Sequence, residues 1–168
     1  EITRFNHIIY HIESFLFRTT GIIDRMLLLL NVIFETKLPP EKCKQPNFLL
    51  NKNGKNGKYA HIIIKRDSEL FLELNLFATL IQDFRNIRNE ITHQKRFNSK
   101  DLKNIEMFHL VMQNAEMKKY KYQIKDETDK VVFTYKNWML DFNKKIKIHL
   151  DKIYEHLDII WTEEYDKK

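Results

Sequence analysis

The sequence DFRNIRNEITH (residues 83–93) ends a predicted amphipathic helix that is long enough to organise the fold. Apolar residues recur along it at steps of three and four and form one stripe: Phe77, Leu80, Phe84, Ile87 and Ile91. Asp67 or Ser68 is a suitable N-cap for this helix, and Glu69 suits its first turn. From the cap to His93 the helix would measure about 39 Å. We therefore expect it to be the spine of a helical bundle.

The polar side of this helix is predicted to bring a permanent cation and a titratable base together. At about 100° per residue, Asn89 and His93 face away from the apolar stripe, close to Arg85 and Asn86. Arg88 lies on the flank, and its long stem allows the guanidinium to reach the imidazole of His93. Such an exposed pair of groups suits a phosphodiester.

The whole chain, residues 1–168, is predicted to be a single all-α domain, an up-and-down bundle of four to five long helices. Only three Gly and three Pro occur, which favours long helices joined by few connections. One helix is predicted over residues 3–35, or two joined at Gly21, and Leu38-Pro39-Pro40 is expected to stop it. Further helices are predicted to start at the cap Ser99 and to cover residues 137–164.

Three segments depart from the helical pattern. Residues 41–59 are rich in Asn, Gly and Lys, and an exposed flexible linker is favoured there over a ligand site. Residues 59–65 are apolar and rich in Ile, which predicts a short strand or a buried extended segment. Near residues 120–135, apolar residues alternate on either side of a polar stretch, so a small β-hairpin insertion is predicted there.

The charge balance favours an anionic partner. The formal net charge is +6 and the isoelectric point is about 9.3, so nucleic acid is the obvious candidate, with a solvated lysine-rich surface as the equally weighted alternative. Cys43, the single cysteine, excludes an intramolecular disulfide and fits a reducing, cytoplasmic setting.

Metal sites and membrane spans find little support in the sequence. His7 and His11 stand one turn apart but lack the further ligand of a zinc helix, so neither a metal nor a cofactor is expected. The most apolar run, Met26 to Phe34, is shorter than the roughly 20 residues of a membrane span. The sequence begins at Glu1 rather than Met, which leaves open whether the N-terminus is complete.

The segment Arg88-Asn89-Glu90-Ile91-Thr92-His93 resembles the signature of the HEPN domain family, in which an arginine precedes a histidine by a short spacer and a polar residue such as Asn often follows the arginine. A second arginine and histidine at similar spacing, Arg4 and His11, lack that polar residue because Phe5 follows the arginine. The resemblance implies an all-helical domain that usually forms homodimers. Many members are metal-independent ribonucleases of prokaryotic toxin–antitoxin and anti-phage systems.

That resemblance gives each motif residue an expected role in RNA cleavage. Arg88 would hold the scissile phosphate, His93 would act as base or acid, and Asn89 would orient the imidazole or the phosphate. Two motifs would meet at a homodimer interface, and the products would carry 2′,3′-cyclic phosphate and 5′-hydroxyl ends. RNA and an antitoxin or sensor protein are the partners implied. The alternative is a catalytically inactive helical module that binds nucleotides or a partner protein.

One position departs from part of the family. Some toxins of this type carry a tyrosine two residues after the histidine, at which a partner antitoxin modifies the chain. Lys95 stands at that position here, so regulation by nucleotidylation at this site is not expected.

Overall fold

The computed structural model describes residues 4–51, 53–93, 97, 99–111 and 114–165, and in this part of the chain every regular element is helical. Seven α-helices follow one another there: α1 (Arg4–Ile33), α2 (Gln45–Phe48), α3 (Ala60–Arg66), α4 (Ser68–Leu80), α5 (Gln82–Thr92), α6 (Lys100–Val111) and α7 (Lys121–Tyr165). Short 3-10 turns cover Pro40–Lys42 and Ala115–Tyr120. The predicted all-α class is confirmed. No helix of the described part is both long enough and apolar enough to cross a membrane.

The contacts divide the chain into two compact units. One comprises Glu1–Phe17 and Asn86–Asn143, and the other comprises Arg18–Arg85 and Lys144–Lys168. The helices α1, α5 and α7 each contribute to both. Below, the first unit, which contains residues 88–93, is called the motif unit, and the second is called the α4 unit.

In the α4 unit, α4 and α7 pack antiparallel. Asp67, the residue before α4, contacts His156, whereas Glu73 contacts His149, which lies seven residues earlier on α7. Residue numbers therefore rise along one helix while they fall along the other. Fully buried apolar side chains fill the core of this unit, including Leu27, Leu30, Leu70, Leu74, Phe77 and Ile153.

Capping explains where α4 and α6 begin. A carboxylate oxygen of Asp67 accepts hydrogen bonds from the backbone N–H groups of Glu69 and Leu70, both at 2.9 Å. In the motif unit, Ser99 Oγ accepts a hydrogen bond from the N–H of Leu102 at 3.2 Å, so the predicted caps of both helices are confirmed. Tyr135 of α7 also donates its hydroxyl proton to Ser99 Oγ at 2.7 Å and ties α7 to the start of α6.

Aromatic side chains hold the motif unit together. The ring of Phe15 meets those of Trp138 and Phe142 edge to face, with centroids 5.8 and 6.3 Å away, and Tyr135 meets Phe97 in the same manner at 6.1 Å. The buried aliphatic residues beside them come from α1 and α6: Ile9, Ile12, Leu16, Leu102 and Ile105.

The first helix is a single element that runs through Gly21. Its end differs from the prediction, since α1 stops at Ile33 before the prolines are reached. Glu35 and Lys37 adopt left-handed conformations, with φ of 47° and 53°, and these turn the chain away from the helix. The side chain of Asn31 stabilises the turn, because its amide accepts from the N–H of Leu38 and donates to the carbonyl of Leu38, both at 3.0 Å.

The predicted long helix from residue 67 to His93 is interrupted at Ile81. That residue has φ of −93° and ψ of 1°, and it separates α4 from α5. Hydrogen bonds nevertheless continue across it, from Ile81 N–H to the Phe77 carbonyl at 3.2 Å and from Arg85 N–H to the Ile81 carbonyl at 3.1 Å. Ile81 is fully buried, so its side chain packs in the core at the residue that separates α4 from α5. The predicted connection at residues 94–98 lies largely outside the described residues.

Residues 41–59 are not the flexible linker that the composition favoured. The segment contains α2, and Cys43, Phe48 and Leu49 within it are buried. Burial, with the charge of Glu41 adding to it, raises the pKa of the Cys43 thiol. Leu50 and Asn56 form an isolated antiparallel bridge, and Gly57 lies directly against the backbone of Asn47. The polar composition of this segment gave no indication that its few apolar residues are buried.

The two predicted β segments are helical, and those predictions were wrong. Residues 59–65 lie mostly in α3, which buries Ile63 on one face. The region near residues 120–135 is part of α7, a 45-residue helix of about 68 Å. Lys130 forms ion pairs with Asp126 and Glu127 at helical spacing, which raise the pKa of its ammonium group. No Gly or Pro occurs between residues 118 and 136 to form a hairpin turn, so the helix continues.

Candidate functional site

The last turns of α5 present the predicted motif at the surface. Phe84 is buried, and Ile87 and Ile91 are half-buried, so the apolar stripe of α5 faces inward as predicted. Asn89 and His93 are exposed on the other side of the helix. Local sequence periodicity alone fixes this placement, because all these residues belong to three successive turns.

Arg88 and Asn89 are in direct contact. A terminal nitrogen of the Arg88 guanidinium, Nη2, donates a hydrogen bond to Asn89 Oδ1 at 3.1 Å. Arg88 is half-buried, whereas Asn89 is exposed, so the amide holds the charged group at the edge of the helix. The planar guanidinium carries five N–H donors in a geometry that suits the oxygens of a phosphate.

His93 follows one helical turn after Asn89. Its backbone N–H donates to the carbonyl of Asn89 at 3.1 Å, and Thr92 Oγ1 donates to the carbonyl of Arg88 at 2.9 Å. These bonds close the final turn of α5, and His93, with its exposed imidazole, directly follows the last residue of the helix, Thr92. The motif unit thus presents a fixed cation, an amide and an imidazole within about one and a half turns of helix.

Arg85 does not share this exposed surface, although its spacing predicted that it would. Its side chain is only 15% exposed, and Nη2 donates to Asp24 Oδ1 at 2.6 Å. Nη1 donates to the side-chain oxygen of Gln45. Arg85 therefore joins α5 to α1 and α2 within the α4 unit and is occupied by structural contacts.

Two carboxylate–histidine pairs lie in the α4 unit, and neither was predicted from the sequence. Glu73, a buried residue, contacts His149, with Lys152 Nζ 3.6 Å from its second oxygen. Asp67 contacts His156 at 2.6 Å. His149 and His156 are seven residues apart on the apolar face of α7, and this position is the one signal that could have predicted a buried role for them.

Partial burial pushes the pKa of Asp67 upward, but its hydrogen bonds act in the opposite direction and prevail. The N–H groups of Leu70 and Glu69 and the side chain of His156 all donate to the carboxylate, and the charge of His156 adds to their effect. The pKa of Asp67 consequently lies below its ordinary value.

The described residues contain no group of three or more His, Cys, Asp or Glu side chains that could hold a metal ion. His7 and His11 do lie together, with their Nε2 atoms 3.4 Å apart and their rings edge to face. Both are exposed on the first turns of α1. Two imidazoles without a carboxylate or a third histidine make an incomplete ligand set.

The profile of a protein family described as HEPN_Cthe2314-like HEPN matches residues 1–160. The chain belongs to the HEPN family. Comparisons with curated proteins and with solved structures found no match. The match covers both units, so the HEPN assignment concerns nearly the whole chain and not the motif alone.

In this HEPN protein, the arginine and histidine that resemble the family signature lie at the end of α5, where Arg88 is half-buried and His93 is exposed. The structure brings Arg88 and Asn89 together through their side chains and joins Asn89 to His93 through the backbone. Asn86, two residues before Arg88, is likewise exposed, and Asp83 and Glu90 are the carboxylates of α5. The arrangement combines groups that can bind an anion with one that can transfer a proton.

Proposed function

We propose that this HEPN protein is a metal-independent endoribonuclease of a toxin–antitoxin or anti-phage defence system. The observation that carries the proposal is the hydrogen bond between Arg88 and Asn89 beside the exposed His93 at the end of α5. It places the permanent cation of Arg88 at the same helix end as an imidazole, a group that can accept or release a proton. The positive net charge of the chain adds an attraction for RNA that does not depend on sequence.

Cleavage in this proposal is an intramolecular attack within the RNA. His93 of one subunit takes the proton from a 2′-hydroxyl, and the freed oxygen forms a bond to the adjacent phosphorus. The bond from phosphorus to the 5′-oxygen breaks, and that oxygen receives a proton from a second imidazole. Arg88 donates to the non-bridging phosphate oxygens, where negative charge builds in the transition state. The products are a 2′,3′-cyclic phosphate and a 5′-hydroxyl.

A homodimer would supply the second imidazole. One ring cannot accept the first proton and deliver the second at the same moment, because the two oxygens lie on opposite sides of the phosphorus. Exposure of Asn89 and His93 supports this arrangement, since a second copy can approach them without rearrangement of α5. The site is therefore proposed to be composite, with a motif from each subunit.

A binding module without turnover is the second candidate. The contact between Arg88 and Asn89 supports a binding module, because a guanidinium held in place by an amide can bind a nucleotide phosphate without any proton transfer. In that case, removal of Arg88 would weaken nucleotide binding, whereas removal of His93 would have little effect. The two candidates therefore differ in whether the function requires His93.

Incubation of the purified protein with total RNA and a tRNA pool, in the presence of EDTA, tests the proposal. We expect cleavage by wild type and its loss in Arg88→Ala and His93→Ala, with a smaller loss in Asn89→Ala. His11→Ala is the matched control, because His11 is an exposed histidine that also follows an arginine at similar spacing. Unchanged cleavage by His93→Ala would exclude the proposed mechanism. Nucleotide binding without cleavage would favour the binding module.

A further inference from the structure

A second surface, in the α4 unit, consists of an apolar groove between α1 and α7. The groove has a volume of about 780 Å³, and we call it the α1/α7 groove. Its walls carry apolar residues at helical spacing from both helices: Leu29, Val32 and Ile33 of α1, and Tyr154, Leu157 and Trp161 of α7. Because the residues recur at steps of three and four on each wall, the groove follows two helix faces.

Large apolar side chains are exposed in this groove. Val32 is 66% exposed, Tyr154 and Trp161 are each 54% exposed, and Leu29 is 40% exposed. Single exposed apolar residues are common, but four that line one concave surface are typical of a site that a partner covers. A third helix can fit between two helix faces by placing its own apolar stripe in the groove.

Carboxylates border the groove on the α7 side. Asp151, Glu155 and Asp158 all line it and all are exposed. Asp151 is paired with Lys147, whereas Glu155 and Asp158 form no ion pair within the described part of the chain. Unpaired negative charge here stands out against the net charge of +6. It disfavours nucleic acid on this face and favours a cationic partner.

We propose that the α1/α7 groove binds a basic amphipathic helix of a partner protein. Leucine-like side chains of that helix would replace water over Val32 and Trp161, and lysine or arginine side chains would pair with Glu155 and Asp158. This inference does not rest on ribonuclease activity, because the groove and the motif belong to different units. A failure of either proposal therefore leaves the other standing.

Trp161 provides a direct probe of the groove. The chain contains two tryptophans, so in a Trp138→Phe background the fluorescence reports on Trp161 alone. We would titrate this protein with a designed helical peptide of roughly 18 residues, about five turns, made of Leu and Lys. A peptide with Glu in place of Lys is the matched control. The expected result is a blue shift of the emission with the Lys peptide and none with the Glu peptide.

Two variants then separate apolar contact from charge. Val32→Asp should abolish the shift, and Glu155→Lys combined with Asp158→Lys should weaken binding about tenfold. Glu106→Lys combined with Glu116→Lys makes the same change in net charge at exposed positions outside the groove and should leave binding unchanged. Circular dichroism would verify that each variant retains its helices.

Other outcomes would overturn the proposal. Equal binding of the Lys and Glu peptides would show that the carboxylates do not select the partner, and no shift with either would show that the groove does not bind a helix. Sedimentation of wild type and Val32→Asp tests for a second copy of the chain: dissociation of a dimer in the variant would make the groove a subunit interface. A shift of Trp161 emission on addition of tRNA would assign the groove to RNA.

Discussion

His156 Nδ1 lies 2.6 Å from Asp67 Oδ2, and this contact joins the C-terminal half of α7 to the start of α4. Asp67 uses its other oxygen to cap α4, through the N–H groups of Glu69 and Leu70. Because a carboxylate only accepts hydrogen bonds, the Nδ1 atom must carry the proton. A single side chain thus caps α4 and contacts α7 at His156, 89 residues further along the chain.

Replacement of Asp67 by Ala should lower the free energy of unfolding by about 1–3 kcal/mol, since it removes the cap and leaves His156 without its acceptor. Urea denaturation followed by circular dichroism measures this change. Ser68→Ala is the control, because Ser68 is the exposed neighbouring residue and does not supply the cap. Equal losses in the two variants would contradict the assignment of the cap to Asp67.

The contribution of Asp67 should depend on pH. Its pKa in the folded protein lies below that of an unfolded aspartate, which is about 3.9. A carboxyl group with a lowered pKa stabilises the fold above the unfolded pKa and loses that effect as the pH falls through the folded pKa. The stability difference between wild type and Asp67→Asn should therefore be larger at about pH 5.5 than at about pH 2.5. A difference that stays constant between these values would contradict the prediction.

Substitution of Ala at two glycines should have opposite effects. A Cβ at Gly57 would lie 2.5 Å from backbone atoms of Asn47, so Gly57→Ala should destabilise the protein by about 1–3 kcal/mol. A Cβ at Gly21 meets nothing within 4 Å, and the residue lies within α1, so Gly21→Ala should stabilise by about 0.5–1 kcal/mol. Thermal unfolding of both variants measures the signs. A Gly57→Ala protein as stable as wild type would mean that Gly57 is packed less tightly against Asn47 than in this structure.

The features that local chemistry controls could be predicted from the sequence. Ser99 and Asp67, the latter one of two candidates with Ser68, are predictable as caps because a side chain and the N–H groups two or three residues later decide the geometry. The grouping of Arg88, Asn89 and His93 was predictable for the same reason, since all three occupy the end of one helix.

Features that depend on distant residues were not predictable. Glu73 and His149 are 76 residues apart, and no local pattern joins them. The alternation near residues 120–135 suggested strands, but the ion pairs of Lys130 and the absence of a turn residue favour the helix that forms. The interruption at Ile81 occurs at a fully buried side chain, and helix periodicity in the sequence did not predict it.

The composite site predicts how mixtures of subunits behave. If cleavage needs His93 from both subunits, a mixed dimer of wild type and His93→Ala is inactive. Random exchange at equal amounts would then leave about a quarter of the activity of an all-wild-type sample at the same total concentration. Coexpression at defined ratios, with RNA cleavage as the readout, measures this. A retained activity of about half would show that each subunit acts alone.

The most direct test of the proposed ribonuclease is the chemistry of the RNA ends that form in EDTA. A ligase that joins only 2′,3′-cyclic phosphate ends can count them after incubation with wild type, His93→Ala and the control His11→Ala. We predict cyclic ends with wild type and with His11→Ala, and their absence with His93→Ala. Ends that carry a 3′-hydroxyl, or cyclic ends that persist in His93→Ala, would contradict a cleavage mechanism in which His93 transfers the proton.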